Sequence, residues 1–190
     1  QRSDPAPGQL RKSPGVRPSV DTGRLRAFLE ALARAANQPT RLYLTGGASQ
    51  LLRGLRDATL DIDLTFEPES DELLRAMVKL KEVLNVNVEI VSPAHFVPAL
   101  PGWLDRCEFV MQIGKLAVLH FDPYTQTLSK LERGHVRDMQ DIQALVAERI
   151  VDPVRLRALF AAVRSELFRY PAIDPKSLFT AVDRLAGADK

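Results

Sequence analysis

Two aspartates, Asp61 and Asp63, have the spacing that most directly suggests chemistry. They lie in segment 59–66, where polar residues alternate strictly with Leu60, Ile62, Leu64 and Phe66. This alternation predicts a β-strand with both carboxylates on one face, their side chains starting about 6.5–7 Å apart. Such a pair can bind one hard cation or two, and oxygen ligands on an open face suit Mg²⁺, which also binds substrate phosphates. The alternative is a strand with an acidic solvent face, although aspartate is depleted from strands.

A glycine pair, Gly46 and Gly47, ends another predicted strand, residues 41–45. Glycine lets the backbone approach a phosphate closely. Ser49 opens a predicted short helix that runs to about residue 55, and free N–H groups at a helix start attract anions. The Ser49 hydroxyl could donate one more hydrogen bond. The pattern therefore predicts a phosphate-binding turn beside the carboxylates, while a plain strand-to-helix turn stays open as the alternative.

Hydrophobic periodicity predicts the elements that carry these motifs. Helices are predicted after the N-cap Asp21 and over residues 71–84, a strand over 86–91, and a hairpin with strands 108–113 and 116–121. From residue 122 the pattern is helical. The sequence therefore predicts an α/β core over residues 21–122, followed by a C-terminal helical region over residues 123–190.

Composition limits the class of protein. The chain has 190 residues, of which 45% are hydrophobic and 26% charged, which is typical of one globular domain with a short appendage. No apolar run is long enough to span a membrane. A single cysteine, Cys107, excludes an intrachain disulfide and a cysteine zinc site. With no secretory leader visible, these features predict a cytoplasmic protein.

The first twenty residues differ in composition from the rest. They hold four basic residues against one acidic residue, and four of the thirteen prolines. Such a segment buries little apolar surface, so residues 1–20 are predicted to be a flexible arm. The arm is either a plain tail or a basic segment that contacts nucleic-acid phosphate.

The glycine turn and the paired aspartates together resemble the signature of the polymerase-beta-like nucleotidyltransferase superfamily. Over about residues 22–180 the sequence is similar to the AbiEii and MenT toxins of bacterial toxin–antitoxin pairs. The matching parts are Arg53 with Thr59-x-Asp61-x-Asp63, Val88–Val91, Phe96-x-Pro98, Trp103-x-x-Arg106 and the block from Ser129 to Ile142. The resemblance implies a mixed sheet with flanking helices, a nucleotide cleft and a C-terminal helical region.

The resemblance also implies roles for these residues. Asp61 and Asp63 would hold Mg²⁺ on a nucleoside triphosphate. Glu89, on the next core strand, matches the third acid of many members, although an exposed strand glutamate is an equal alternative. The nucleotide-binding residues would be Gly46, Gly47, Ser49 and Arg53.

Lys130 and Asp138 match the toxin members specifically. A lysine near the triphosphate offsets charge on the phosphoryl oxygens, and an aspartate can orient or deprotonate the acceptor hydroxyl. Asp141 lies one helical turn after Asp138 on the same face and stays open for that role. Both acids could instead be ordinary residues near a helix N-terminus, with Arg137 paired to Asp141.

The predicted function is transfer of a nucleoside monophosphate from an NTP to an acceptor, with release of pyrophosphate. By resemblance the acceptor is the 3′ end of tRNA, and the protein is a growth-inhibiting toxin with a cognate antitoxin. Nucleotidylation of a protein or small molecule, and a non-catalytic nucleotide-binding module, remain alternatives. The basic residues that could line a phosphate-binding rim are Arg53, Arg56, Lys130, Arg133, Arg137, Arg155 and Arg157.

Overall fold

A computed structural model describes residues 17–187 of the chain. Its centre is a five-stranded mixed sheet with the order β3-β2-β1-β5-β4. The strands are β1 (Thr40–Leu44), β2 (Asp61–Glu67), β3 (Asn87–Ile90), β4 (Glu108–Ile113) and β5 (Leu116–His120). Strand β1 runs antiparallel to β2 and parallel to β5, while β2 and β3 are parallel and β4 and β5 form an antiparallel hairpin. The predicted α/β class with a mixed sheet is confirmed.

Seven α-helices are present in the described residues. They are α1 (Thr22–Ala33), α2 (Gly46–Leu52), α3 (Asp71–Val83), α4 (Pro123–Arg133), α5 (Val136–Ala147), α6 (Pro153–Val163) and α7 (Pro175–Gly187). Asp21 caps α1 as predicted, since its side chain accepts from the Arg24 N–H at 2.8 Å. Within residues 17–187 no helix combines the length and apolar character needed to cross a membrane.

Two apolar clusters form the interior. The first packs one face of the sheet against α1 and α3, and it includes Ile62 and Leu64 of β2. The second lies among α4–α7 and also takes in Val97 and Leu100 from the connection after β3. Because alternate residues of β2 enter the first cluster, Asp61 and Asp63 are left on the opposite face, where the helical region begins.

The junction between the two clusters is fixed by a buried carboxylate, Asp122, which is 0% exposed. It caps α4 by accepting from the N–H groups of Tyr124 and Thr125. It also accepts two hydrogen bonds from the Arg106 guanidinium, at 2.9 and 2.8 Å. This bidentate pair ties the connection before β4 to the start of α4.

The start of the described chain is packed against the domain. Val20 is 0% exposed and exchanges two backbone hydrogen bonds with Thr59, of 2.7 and 2.9 Å. The Arg17 guanidinium donates to the Val86 carbonyl at 2.8 Å and pairs with Glu82. The predicted flexible arm is therefore wrong for residues 17–20, because Val20 completes the first apolar cluster. Residues 1–16 lie outside the described part of the chain.

Candidate active site

The carboxylates of Asp61 and Asp63 lie on one face of β2, as the alternation predicts. The parallel pairing with β3 sets Asn87 opposite Asp61 and Glu89 opposite Asp63. The Asn87 amide donates to Asp61 Oδ1 at 2.7 Å. The sheet therefore presents three acids in two adjacent strands, with an amide that orients one of them.

The electrostatic environment of Asp63 is unfavourable to its charged form. Burial, and then the charges of Asp61 and Glu89, raise the pKa of Asp63 to about 6, while Arg133 and Lys130 act in the opposite direction. A bound cation would relieve this repulsion, and carboxylate oxygens are the donors that a hard divalent cation prefers. The Asp61 and Asp63 pair thus fits Mg²⁺.

Glu89 does not complete a ready-made metal site. In the described residues no group of three or more His, Cys, Asp or Glu side chains is positioned to hold a metal ion. Glu89 is exposed, and it acts on Asp63 through its charge. Two carboxylates on an open face leave room for water and substrate oxygens around Mg²⁺, and a direct ligand role for Glu89 stays a prediction.

The glycine pair opens helix α2, with Thr45 as N-cap. The prediction that Ser49 begins this helix is wrong, because the helix already starts at Gly46. Gly46 has a φ of +54°, and a Cβ there would lie 2.5 Å from Asp63 Oδ2. A Cβ on Gly47 would overlap the Thr59 side chain and lie 3.2 Å from Arg56 Nη1. Gly46 is therefore required for close approach of this backbone to the Asp63 carboxylate, and Gly47 for its close approach to the Thr59 side chain.

Two predicted nucleotide-binding residues, Ser49 and Arg53, face away from the carboxylates. The Ser49 hydroxyl is buried, 2.9 Å from His120 Nδ1. Burial, and then the charge of Arg53, lower the pKa of His120 to about 4, so this imidazole is neutral at pH 7. Arg53 pairs with Glu108 at 2.9 Å. The structure therefore corrects the expected contact of both residues with the nucleotide, because their polar atoms are directed to His120 and Glu108.

A cavity of about 410 Å³ separates the carboxylate face from α4 and α5. Six of the predicted site residues line it, namely Gly46, Gly47, Asp61, Asp63, Lys130 and Asp138. Arg56, Arg133 and Arg137 add three guanidinium groups to its walls. The tertiary structure thus brings an acidic face and a basic wall together across one cavity, which we call the first cavity.

Lys130 is buried in the wall of the first cavity, with 4% of its surface exposed. Its ammonium lies 2.5 Å from Asp141 Oδ2 and 3.3 Å from Asp138 Oδ1. Lys130 is therefore an internal member of a charge network and not a solvated side chain. Two arginines join this network from other elements: Arg133 donates to Asp138 Oδ1 at 2.6 Å, and Arg56 donates to both oxygens of Asp141 at 2.6 and 2.8 Å.

The same contacts distinguish Asp138 from Asp141. Both oxygens of Asp141 are occupied by Arg56 and Lys130, so the alternative pairing of Asp141 with Arg137 is wrong. Asp138 Oδ2 is buried without a hydrogen-bond partner among residues 17–187. Burial raises the pKa of Asp138, but the hydrogen bond from Arg133 and the charge of Lys130 outweigh it and lower the pKa below its usual value. Asp138 is therefore an ionised carboxylate with one free oxygen.

Sequence reasoning missed Gln126 and Asn87 as site residues. Gln126 accepts from the Gly46 N–H at 3.0 Å and so holds the glycine turn against α4. It lies four residues before Lys130 on the same helix face, which is the signal that could have found it. The corresponding signal for Asn87 is its position two residues before Glu89, on the same face of the strand.

Comparison with known proteins identifies a family for this chain. A family model described as a nucleotidyltransferase of unknown function, DUF6036, matches residues 23–171, which is most of the chain and includes the whole first cavity. No curated protein and no solved structure gives a significant match. A nucleotide-transferring site requires paired carboxylates on a sheet face, a glycine turn beside them and a basic wall across the cavity. The chain belongs to this nucleotidyltransferase family.

Proposed function

We propose that this protein transfers a nucleoside monophosphate from an NTP to an acceptor hydroxyl in a Mg²⁺-dependent reaction that releases pyrophosphate. The observation that carries the proposal is the position of Asp61 and Asp63 across a 410 Å³ cavity from Lys130 and Arg133. A triphosphate with its metal needs both sides, because the metal requires carboxylates and the phosphate oxygens require cations.

The nucleotide is held by the floor of the first cavity. Asp61 and Asp63 would hold Mg²⁺, which when bound supplies charge neutralisation for the phosphate oxygens. Gly46 and Gly47 allow the phosphates to approach the backbone closely, because no Cβ intervenes. Arg133, with 45% of its side chain exposed, reaches the cavity from the end of α4 and adds positive charge there.

Asp138 serves as the general base. The Asp138 carboxylate, which lines the first cavity, takes the proton of the acceptor hydroxyl while the hydroxyl oxygen forms a bond to the α-phosphorus. The bond from the α-phosphorus to the bridging oxygen of the β-phosphate breaks, and pyrophosphate leaves with the electron pair. Lys130 and Arg133 keep Asp138 ionised and oriented, and their charges offset that of the phosphoryl oxygens.

The acceptor proposed is the 3′ end of tRNA, and the cellular role proposed is that of a toxin neutralised by a cognate antitoxin. The resemblance to AbiEii and MenT toxins supports both. Exposed basic side chains at the cavity, those of Arg133 and Arg137, favour a polyanionic acceptor.

The test is incubation of the protein with each labelled NTP, Mg²⁺ and total tRNA, followed by electrophoresis. Label on tRNA would support the proposal if it no longer appears when the 3′-terminal diol of the tRNA has been oxidised with periodate before the reaction. Label on the protein itself or on a small molecule would support another acceptor, and no label with any NTP would support a binding module.

Substitution of the paired carboxylates tests the metal role. Asp61→Ala or Asp63→Ala should abolish transfer in a protein that stays folded. Glu67→Ala is the matched control, because Glu67 is exposed on the same strand and does not line the cavity. Near-full activity of either aspartate variant with Mg²⁺ would show that the metal assignment is wrong.

A further inference from the structure

A second cavity, of about 400 Å³, lies beside the first. Its walls are the loop that precedes β2 and the outer side of helix α5. Residues that line it include Arg56, Asp57, Leu60, Arg137 and Gln140. None of the roles described above uses this cavity.

The two cavities share a partition. Arg56, Thr59, Leu60 and Arg137 line both of them. On α5, Gln140 and Asp141 face the second cavity, while Asp138 lines only the first. The second cavity therefore adjoins the first, and the side chains that separate them include residues that line both.

Hydrogen-bond donors in this partition are available to a ligand. Arg137 is exposed and has no hydrogen bond or ion pair among residues 17–187. Arg56 uses Nε and Nη2 to bind Asp141, and within the described chain its Nη1 has no acceptor. Of the two acids in the cavity, Asp141 is already neutralised by Arg56 and Lys130, and only Asp57 opposes an anion.

The remaining wall is suited to a nucleotide. Leu60 has 49% of its surface exposed and offers an apolar surface against which a base can pack. The Gln140 amide can both donate and accept at a base edge. Single-stranded nucleic-acid sites combine cationic groups for the phosphates, a surface on which bases stack, such as an aromatic ring or a guanidinium plane, and polar groups at the base edges. The guanidinium groups of Arg56 and Arg137 can serve the first two purposes here.

We infer that the second cavity is the acceptor site and binds the 3′-terminal nucleotides of a single-stranded nucleic acid. The phosphodiester groups bind Arg56 and Arg137, and the terminal hydroxyl passes Leu60 to reach Asp138 in the first cavity. The inference rests on the proposed function for its purpose, but binding in this cavity is measured without NTP and without transfer.

The test is the affinity of a 5′-fluorescein-labelled single-stranded oligoribonucleotide with a free 3′-hydroxyl, measured by fluorescence anisotropy. Gln140→Glu should raise its Kd about three- to tenfold, since a new negative charge lies near the phosphates and can also pair with Arg137 three residues before it. Asp57→Asn should lower the Kd. Arg137→Ala should reduce the salt slope of binding by about one. Gln143→Glu, the same change at an exposed position of α5 outside both cavities, is the control and should leave the Kd unchanged.

The outcomes separate this inference from the proposed function. The inference would be overturned if Gln140→Glu and Gln143→Glu affect the Kd equally, or if the unaltered protein does not bind the oligonucleotide. Either result would hold whatever the protein transfers. Label found on a polypeptide acceptor would overturn it as well. Charge-dependent binding of the oligonucleotide without any NTP transfer would keep the second cavity as a nucleic-acid-binding site and reject the proposed reaction.

Discussion

Replacement of Lys130 by methionine should destabilise the protein and also greatly lower its transfer rate. Methionine preserves most of the side-chain volume and removes the ammonium that lies 2.5 Å from Asp141 and 3.3 Å from Asp138. Two carboxylates, those of Asp138 and Asp141, which are 3% and 4% exposed, would then lose a shared cation. The effect on folding follows from burial, and a solvated lysine would not produce it.

The magnitude can be worked from the remaining contacts. Removal of one partner of a buried ion pair costs about 3–5 kcal/mol when the other charge is left uncompensated. Here Asp141 keeps two hydrogen bonds from Arg56, and Asp138 keeps one from Arg133. The expected loss in the free energy of unfolding is therefore about 2–4 kcal/mol. Loss of a transition-state cation should lower the transfer rate by two orders of magnitude or more.

Urea denaturation followed by tryptophan fluorescence measures the stability change. The single tryptophan, Trp103, is stacked on Phe121 with ring centroids 4.9 Å apart, so its emission reports on the packed state. Lys79→Met is the matched control, because Lys79 is exposed on α3 and should change stability by less than about 0.5 kcal/mol. A double-mutant cycle with Asp141→Asn should give a coupling energy of about 0.5–3 kcal/mol.

The refuting result is a Lys130→Met protein as stable as the Lys79→Met protein. It would mean that the ammonium is solvated in solution and that the network on α4 and α5 does not form. A destabilised variant that still labels its acceptor at the wild-type rate would leave the network standing and remove Lys130 from the reaction.

Three further predictions concern stability of the metal-free protein in the same urea titrations. Asp63→Asn should raise the free energy of unfolding by about 2–3 kcal/mol at pH 7 and leave it unchanged below pH 4. The reason is that the pKa of Asp63 in the folded protein is about 6, so that ionisation of this carboxyl becomes increasingly costly between about pH 4 and 6. Equal effects at both pH values would contradict this prediction. His120 has the opposite effect on the pH dependence, because its pKa in the folded protein is about 4 and its contribution to stability is complete above about pH 6.5 and lost as the pH falls toward 4. His120→Gln should therefore flatten the acid side of the plot of stability against pH. An unchanged plot would count against a neutral His120. Val20→Ala should lower the free energy of unfolding by about 1.5–3 kcal/mol, because Val20 is fully buried. The control Val78→Ala, at a position that is 70% exposed, should have almost no effect. Similar losses in both variants would mean that residues 17–20 do not pack against the domain.

Local patterns in the sequence determined the face on which the metal pair lies. The period of two along β2 is set by strand geometry, so the common face of Asp61 and Asp63 follows without knowledge of any partner. Capping by Asp21, the hairpin strands and the helical character of residues 123–187 are likewise local properties. The resemblance added Lys130 and Asp138, and both line the cavity with the aspartates.

Only the tertiary structure decided what lies opposite each face. Asp141 binds Arg56, which is 85 residues away in sequence, and Gly46 binds Gln126, which is 80 residues away. No periodicity in the sequence encodes such long-range contacts. The burial of Lys130 depends on how α4 and α5 pack on each other. The direction of the Ser49 hydroxyl depends on His120 at the end of β5. Side-chain period gives the direction of a residue relative to its own strand or helix, but burial, pairing and pKa depend on the element that packs against it, and that element is set by the fold as a whole.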